Sequence, residues 1–454
     1  MIIGCGAGGG TAAQFARKTD RKAHITVFEI GKYSQYSKCG LPYVISGTIP
    51  TFNDLIEFPE EWFQKARIEL FLGTIVEHVD TKKQIISAKK GNQHIERSYD
   101  RLILATGATP ALPPIKGLEQ QGKIADGIHV LRTIDDGKRI VAHLRKGKKA
   151  TVIGAGLIGL ELADALYSKG MNVTVVETLP SLLANTLDED MASLVHEECA
   201  KHVRIFSNYR ATHVGHTKES ISKVFVTHVE TGEQQEIDTD ILVIATGTKP
   251  EASLAKQIGC SIGKTGGIIV NEKSETSIPH VYAVGDCTQY RDFVTGGSVC
   301  IGLGSVAVRQ GIAAGINAAG GAYTLPKGVL LARTSDFFGI EIAAVGPVTS
   351  NMHDCSLVSG KFTGSSLPEY FPGGKPITIK LMVDDTTHRI CAAQAVGANA
   401  AQRINTFACA ILNTMTVDAL RTLETAYAPP IAPTLDAVTL VCDVVFLKLA
   451  RKKG

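Results

Sequence analysis

Charge imbalance is nearly absent from this chain: 47 Lys and Arg stand against 44 Asp and Glu, a formal net charge of +3 over 454 residues. No basic block exceeds a few residues, which makes nucleic acid and anionic membranes poor partners. The ten cysteines include no CxxC pair and no Cys/His metal spacing, a usage that fits a reducing compartment better than a disulfide framework. No low-complexity tract or long linker occurs. The most apolar late stretch, 437–450, carries Asp443 and Lys448 and is too short to span a bilayer. The N-terminus, MIIGCGAGGG, lacks a basic n-region, so no signal peptide is expected. The expectation is a cytoplasmic protein of two to four domains, because 454 residues are too many for one core.

Glycine, by contrast, is abundant, with 45 residues, and it clusters where a chain approaches a nucleotide. Gly4-x-Gly6-x-x-Gly9 opens a helix expected from about Gly10 to Lys18, and ITVFE then ends a strand at Glu29. The glycines permit a tight turn and close pyrophosphate approach, the helix N-terminus holds phosphate, and the acid twenty residues on binds ribose hydroxyls. Only Met1, Ile2 and Ile3 precede Gly4. Either the first strand is short or the true start lies upstream.

The arrangement repeats. KKATVIGAGLIGLELADAL gives a strand, Gly154-x-Gly156-x-x-Gly159 and a helix, and MNVTVVE ends at Glu177. Two such units imply two nucleotides, FAD and a nicotinamide. Glu177 favours NADH because it would repel a 2′-phosphate, although neighbouring basic residues could admit NADPH. RLILATGATP (101–110) and ILVIATGTKP (241–250) read as matching crossovers between nucleotide domains. The expected organisation is α/β: two Rossmann-like domains, one inserted in the other, and an α+β C-terminal domain. The first domain takes 1–113 and 246–322, the insert 114–245 and the third domain 323–454. ISAKKGNQHIERSYD reads as a hairpin turning at Gly91-Asn92, HVYAVGDCTQ as a strand ending at Gly285-Asp286, and 304–321 as a helix with small residues on one face.

Within YSKCGLPYVISG (36–47), Pro42 suits a first helical turn, placing Cys39 just before a helix N-terminus that would stabilise a thiolate, with Lys38 acting in the same sense. Five residues on stands Val44 rather than a second cysteine. A lone thiol must therefore cycle through a mixed disulfide, persulfide or sulfenic acid.

Together GCGAGG with FE, SKCGLPY, the two ATG crossovers, GAGLIGLE with VVE, AVGDC and AYAPP resemble, over essentially the whole chain, the FAD-dependent pyridine nucleotide–disulfide oxidoreductases. The resemblance is to their single-cysteine branch: coenzyme A-disulfide reductases, NAD(P)H persulfide/polysulfide reductases, NADH oxidases and peroxidases. It implies that Gly4, Gly6, Ala7, Gly9, Glu29, Ala105, Thr106, Gly107, Gly285 and Asp286 serve FAD. Gly154, Gly156, Leu157, Ile158, Gly159 and Glu177 would serve NADH, with Arg132 and Gly247 as further cofactor contacts. Cys39 would be the redox nucleophile facing the flavin. The C-terminal domain would form a homodimer, across which Tyr427 of AYAPP acts as acid or substrate orienter and Tyr370 lies near bound coenzyme. By residue type alone both tyrosines read as packing residues.

The departures narrow the reading. Ala7 stands where oxidases and peroxidases carry a histidine, removing their general acid–base partner. Gln35 and Lys38 replace the serine and asparagine that touch substrate in coenzyme A-disulfide reductases. Thr11 matches a coenzyme contact. Lys18 either replaces a phosphate-binding arginine or joins Arg17, Arg21 and Lys22 in a solvated basic face. The two-cysteine branch is excluded, because no C-x4-C exists and the last histidine is His388. The expected activity is NADH-dependent reduction, through FAD and Cys39, of coenzyme A disulfide or a related small persulfide or polysulfide. The alternatives are an NADH oxidase or peroxidase using a sulfenic acid, and an electron-transfer reductase for a small redox protein. No metal is expected.

Overall fold

The computed structural model describes residues 1–120, 123–217, 220–300, 302–353 and 355–452. Two five-stranded parallel sheets dominate its first two-thirds. In the first, the strands run in the order Val281–Ala283, Leu102–Leu104, Ile2–Ile3, Ile25–Phe28, Ile68–Phe71. In the second the order is Ile128–Val130, Ile241–Ile244, Lys149–Ile153, Asn172–Glu177, Arg204–Ser207. Each sheet thus puts its glycine-loop strand in the centre with the acid-bearing strand beside it. Runs such as Leu102–Leu104 and Ile241–Ile244 are buried throughout, as strands covered on both faces must be. Every strand of the second sheet lies in the chain between Leu102–Leu104 and Val281–Ala283 of the first.

The first strand has two residues, Ile2–Ile3, yet pairs on both sides with Val27–Phe28 and Ile103–Leu104. The hairpin Ile85–Lys90/Gln93–Ser98 turns at Gly91-Asn92. The two Ala-Thr-Gly crossovers clasp one another, for Ala108–Pro110 pairs antiparallel with Thr248–Pro250.

Beyond them, a five-stranded antiparallel sheet runs Arg333–Phe337, Ile340–Val345, Ile390–Gly397, Pro376–Asp384, Leu357–Ser365. Helices Ala400–Leu412 and Ala437–Lys452 cover it, burying Phe407, Val441 and Cys442 completely. Among the described residues no helix is long and apolar enough to cross a membrane.

Two packing features bear on function. The helix Gly304–Ala318 lies against the first glycine-loop helix, Ala7–Thr19, in backbone contact. A Cβ on Gly311 would stand 2.4 Å from the Gly8 carbonyl, and one on Gly315 2.4 Å from that of Ala12. The small-residue face therefore serves close helix approach. The second sheet's core is shared: it takes Ile45 from the helix that follows Cys39, and Phe337, Phe338 and Ile342 from the C-terminal sheet. Each large side chain so buried contributes about 1.5–3 kcal/mol.

Candidate functional site

Both glycine loops divide their labour identically. Gly4 and Gly154 each hold φ +103°, where a Cβ would strike the Ala105 carbonyl at 2.2 Å and the Ala245 carbonyl at 2.5 Å. A Cβ on Gly9 or Gly159 would lie 2.0 Å from the carbonyl of Gly4 or Gly154. Around Gly6 and Gly156 a Cβ would meet nothing within 4 Å. Each middle glycine is the N-cap of its helix without a side-chain cap. That leaves backbone N–H groups facing open space at a positive dipole end, a cradle a phosphate can enter.

The acids are also matched. Glu29 Oε2 accepts from the Cys5 amide at 2.6 Å and Oε1 from the Gly31 amide at 2.7 Å. Glu177 Oε2 accepts from the Ala155 amide at 2.7 Å and Oε1 from the Leu179 amide at 2.9 Å. Both carboxylates are fixed at the loop mouth with lone pairs to spare for a ribose diol.

One cleft of about 1950 Å³, roughly twice the largest pockets that hold a single drug-sized ligand, runs from the first glycine loop and Glu29 to the start of the second loop's helix at Leu157, Ile158 and Glu161; Gly154, Gly156, Gly159 and Glu177 lie outside its lining. Gly4, Gly6, Ala7, Glu29, Ala105–Gly107, Arg132, Leu157, Ile158, Gly285 and Asp286 line it. Gly247, at φ +94°, lies just outside the lining, where its carbonyl accepts from Ala111 in the crossover clasp. Thr106 Oγ1 donates to the Glu251 carbonyl at 2.5 Å, stiffening the first crossover. Arg132 Nη2 donates to Asp286 Oδ2 at 2.5 Å, so the two are one half-buried pair in the cleft. These residues fit a dinucleotide in each half: FAD along the first loop, a nicotinamide nucleotide along the second.

Cys39 lines the same cleft from a 3₁₀ turn, Lys38–Gly40, that runs into Leu41–Ser46 with Pro42 in its first turn. Its Sγ would be 3.9 Å from a Cβ on Gly304, the first residue of the Gly304–Ala318 helix. The dipole beside the sulfur is thus that of this fifteen-residue helix, more than that of the six residues after Cys39. The thiolate expected from the helix N-terminus at Pro42, with Lys38 acting in the same sense, meets opposing groups in the cleft. Burial, then Glu161 and Asp286, push the Cys39 thiol up, and the main cation opposing them is Arg132. Lys38 lines the cleft beside it, with its own ammonium pushed down by burial and by Arg132. Cys39 is nevertheless open to the cleft, whereas Cys5, Cys287 and Cys442 are buried, and burial pushes their thiols up.

Three expected substrate contacts are not brought to the cleft. Thr11 is buried against the Gly304–Ala318 helix. Gln35 is buried beneath Gly10, whose Cβ would collide with its amide; its Nε2 reaches Glu57 at 3.5 Å. Lys18 is exposed, its ammonium 4.5 Å from the Phe15 ring, and neighbouring Arg17 is committed to the carbonyls of Asp20, Arg21, Ala66 and Arg67. Tyr370 and Tyr427 hydroxyls share a 2.8 Å hydrogen bond on the surface of the C-terminal domain, 71% and 46% exposed, and neither lines this chain's own cleft.

Sequence reasoning missed Glu161. It stands one helical turn after Leu157, lines the cleft and accepts from Ser335 Oγ at 2.5 Å, and burial raises its carboxyl. The signal was available in GLIGLE, since a helix opening at a nucleotide loop points its next turn along the ligand. Tyr43, one turn after Cys39, was missed similarly.

Residues 1–311 match the pyridine nucleotide-disulphide oxidoreductase family, and 334–438 match that family's dimerisation domain. The chain belongs to the pyridine nucleotide-disulphide oxidoreductases. It is an oxidoreductase that works with FAD and NAD(P)H. It is 38% identical to an NADH oxidase of Methanocaldococcus jannaschii, covering 100% of this chain and 99% of the relative. It is 33% identical to a CoA-dependent NAD(P)H sulfur oxidoreductase of Pyrococcus abyssi, over 98% of this chain and 97% of that one. Among solved structures, an NAD-dependent persulfide reductase from A. fulgidus superposes with a TM-score of 0.94 at 34% identity, covering 99% of this chain and 83% of that one.

Proposed function

We propose that this oxidoreductase is a homodimeric, cytoplasmic, NADH-dependent reductase of coenzyme A disulfide or a related low-molecular-weight persulfide or polysulfide. The observation that carries the reading is the setting of Cys39: an accessible thiol beside a long helix's N-terminus, in the cleft that runs from the first dinucleotide loop to the helix of the second. The likeness to sulfur oxidoreductases supports the substrate class.

Bound FAD supplies the two-electron link between NADH and sulfur. The chain's residues do the rest. Attack of the Cys39 thiolate on a disulfide RS–SR forms Cys39–S–S–R and expels one thiolate, RS⁻. Two electrons then cleave the mixed disulfide, releasing the second thiolate and restoring Cys39. The helix beginning at Gly304 favours the sulfur anion, while Glu29, Asp286 and Glu177 hold the nucleotides' hydroxyls.

The test is anaerobic NADH oxidation by the FAD-loaded protein with coenzyme A disulfide or persulfide as sole acceptor. Turnover is expected, and Cys39→Ser should retain FAD and accept hydride but lose it. Full turnover in the serine variant would overturn the role of Cys39.

The NADH oxidase name of one relative favours a second reading, with Cys39 cycling through a sulfenic acid. Ala7 and the absence of any histidine among the described residues lining the cleft argue against it. Efficient NADH consumption with oxygen or peroxide, and none with coenzyme A disulfide, would select it.

A further inference from the structure

The second parallel-sheet unit is fastened to the C-terminal domain along a seam that no nucleotide motif requires. Asp188 is the centre of it. Its backbone N–H donates to Gln394 Oε1 at 2.9 Å, and its Oδ1 and Oδ2 accept from Thr349 N and Oγ1 at 2.9 and 2.6 Å. Lys380, on the strand Pro376–Asp384, spans Asp188 and Asp190 at 2.9 and 2.6 Å. The Lys380 and Asp188 side chains are only 14% and 11% exposed. Arg333 Nη2 donates to the Asn185 and Thr186 carbonyls at 3.0 and 3.4 Å. With Lys361, 3.3 Å from Asp190, five chain-distant residues therefore grip residues 185–190.

The apolar half of the seam costs the backbone strain. Strands Arg333–Phe337 and Ile340–Val345 are joined by Phe338 and Gly339, both at positive φ, +53° and +76°. A bulky residue rarely adopts that conformation. Here it drives Phe338 onto His202, rings 5.2 Å apart at 8°, and against Tyr167, while Phe337 enters the second unit's core. Two residues before Phe337, Ser335 holds Glu161 inside the cleft. The seam ends at the helix that would carry the nicotinamide.

We propose that Lys380, with Asp188 and Asp190, is a positioning residue for hydride transfer. It latches the nicotinamide-binding unit to the C-terminal domain, so that the Leu157–Glu161 turn keeps one distance and angle to the flavin site. Adenosine binding at Gly156 and Glu177 is internal to that unit and does not depend on the latch. Lys380, Asp188 and Asp190 lie outside the cleft that holds Cys39, so the latch acts on reduction of the sulfur substrate only through Ser335 and Glu161 and affects it less than hydride transfer. The inference uses only the FAD and NAD(P)H chemistry of the family and is independent of which sulfur compound is reduced.

The experiment compares wild type, Lys380→Met, Lys380→Arg and Asp190→Asn as FAD-loaded dimers. Misplacement of about 1 Å costs up to roughly 100-fold in rate. Stopped-flow flavin reduction by NADH should slow by roughly 10- to 100-fold in Lys380→Met, with nucleotide affinity within about threefold and oxidation of the reduced enzyme by disulfide slowed much less. Lys380→Arg should restore most of the rate. Before any nucleotide is added, amide exchange over 185–190 and 333–342 should quicken in Lys380→Met. Unchanged exchange, or an unchanged reduction rate, would overturn the proposal, as would equal slowing of both half-reactions. Asp190→Asn leaves the contacts of Asp188 with Gln394, Thr349 and Lys380 intact, so it decides the matter by the same two readouts if Lys380→Met does not fold.

Discussion

Glu177 offers the sharpest quantitative test of the nucleotide reading. Its carboxylate is tied by the Ala155 and Leu179 amides at 2.7 and 2.9 Å, so it cannot swing away from a bound adenosine ribose. Thr178, Leu179 and Pro180, which follow it, supply no cation. Glu177→Ala removes hydrogen bonds to a charged acceptor worth about 1.5–3 kcal/mol, a loss of roughly 10- to 150-fold in kcat/KM for NADH. It also removes a repulsion. A unit charge about 5 Å from a doubly charged 2′-phosphate, at an effective dielectric near 40, costs about 3 kcal/mol. NADPH should therefore improve as NADH declines, and the ratio of the two kcat/KM values should move by at least roughly 100-fold. Steady-state kinetics with each nucleotide at fixed acceptor measures this. The mirror-image Glu29→Ala variant, whose acid is tied by Cys5 and Gly31, should lose FAD and leave the NADH/NADPH ratio of its loaded fraction unmoved. A change in ratio below threefold in Glu177→Ala, with FAD retained, would refute the reasoning.

Gly6→Ala should fold normally, because its Cβ meets nothing within 4 Å, yet purify with less FAD. Gly311→Val, whose Cβ would stand 2.4 Å from the Gly8 carbonyl, should cost about 1–3 kcal/mol or more in unfolding experiments; equal stability of the two variants would contradict the helix contact. His129 is 6% exposed, its Nε2 lacks a partner, and burial followed by His143 pushes its pKa down to about 4. The unfolded chain binds that proton near pH 6.5 and the folded chain only near 4. This stabilisation is thus complete above about pH 6.5 and lost as pH falls toward 4, by at most about 3 kcal/mol. His129→Phe should flatten the thermal-midpoint profile between pH 7 and 4.5, and an unchanged slope would assign the loss elsewhere. Tyr427→Phe should slow the disulfide half-reaction and spare flavin reduction by NADH; the reverse pattern would remove Tyr427 from the acceptor side.

Much of the fold was legible because its signals are local. A glycine that must adopt φ +103° beside a carbonyl leaves a mark at one position, and the acid ending the next strand leaves another. The antiparallel hairpin at Gly91-Asn92 and the small-residue helix at 304–318 were readable for the same reason. The substrate-side residues were not. Thr11, Gln35 and Lys18 were placed by motif position, and motif position does not say which side of a helix or loop a cleft opens on. Two backbones in contact at Gly8 and Gly311 decided that for Thr11, and the space under Gly10 decided it for Gln35.

By itself, then, the sequence determined the two nucleotide loops, their paired acids and a single unpaired cysteine between them, because each depends on residues within about thirty positions of one another. Only the tertiary structure decided the electrostatics of Cys39, which come from Glu161, Asp286, Arg132 and a helix starting at Gly304. It alone also revealed the seam through Lys380, whose partner Asp190 lies 190 residues away in the chain. Charge interactions and close packing act through space, and no periodicity or spacing in a chain records which distant residues folding brings within a few ångströms.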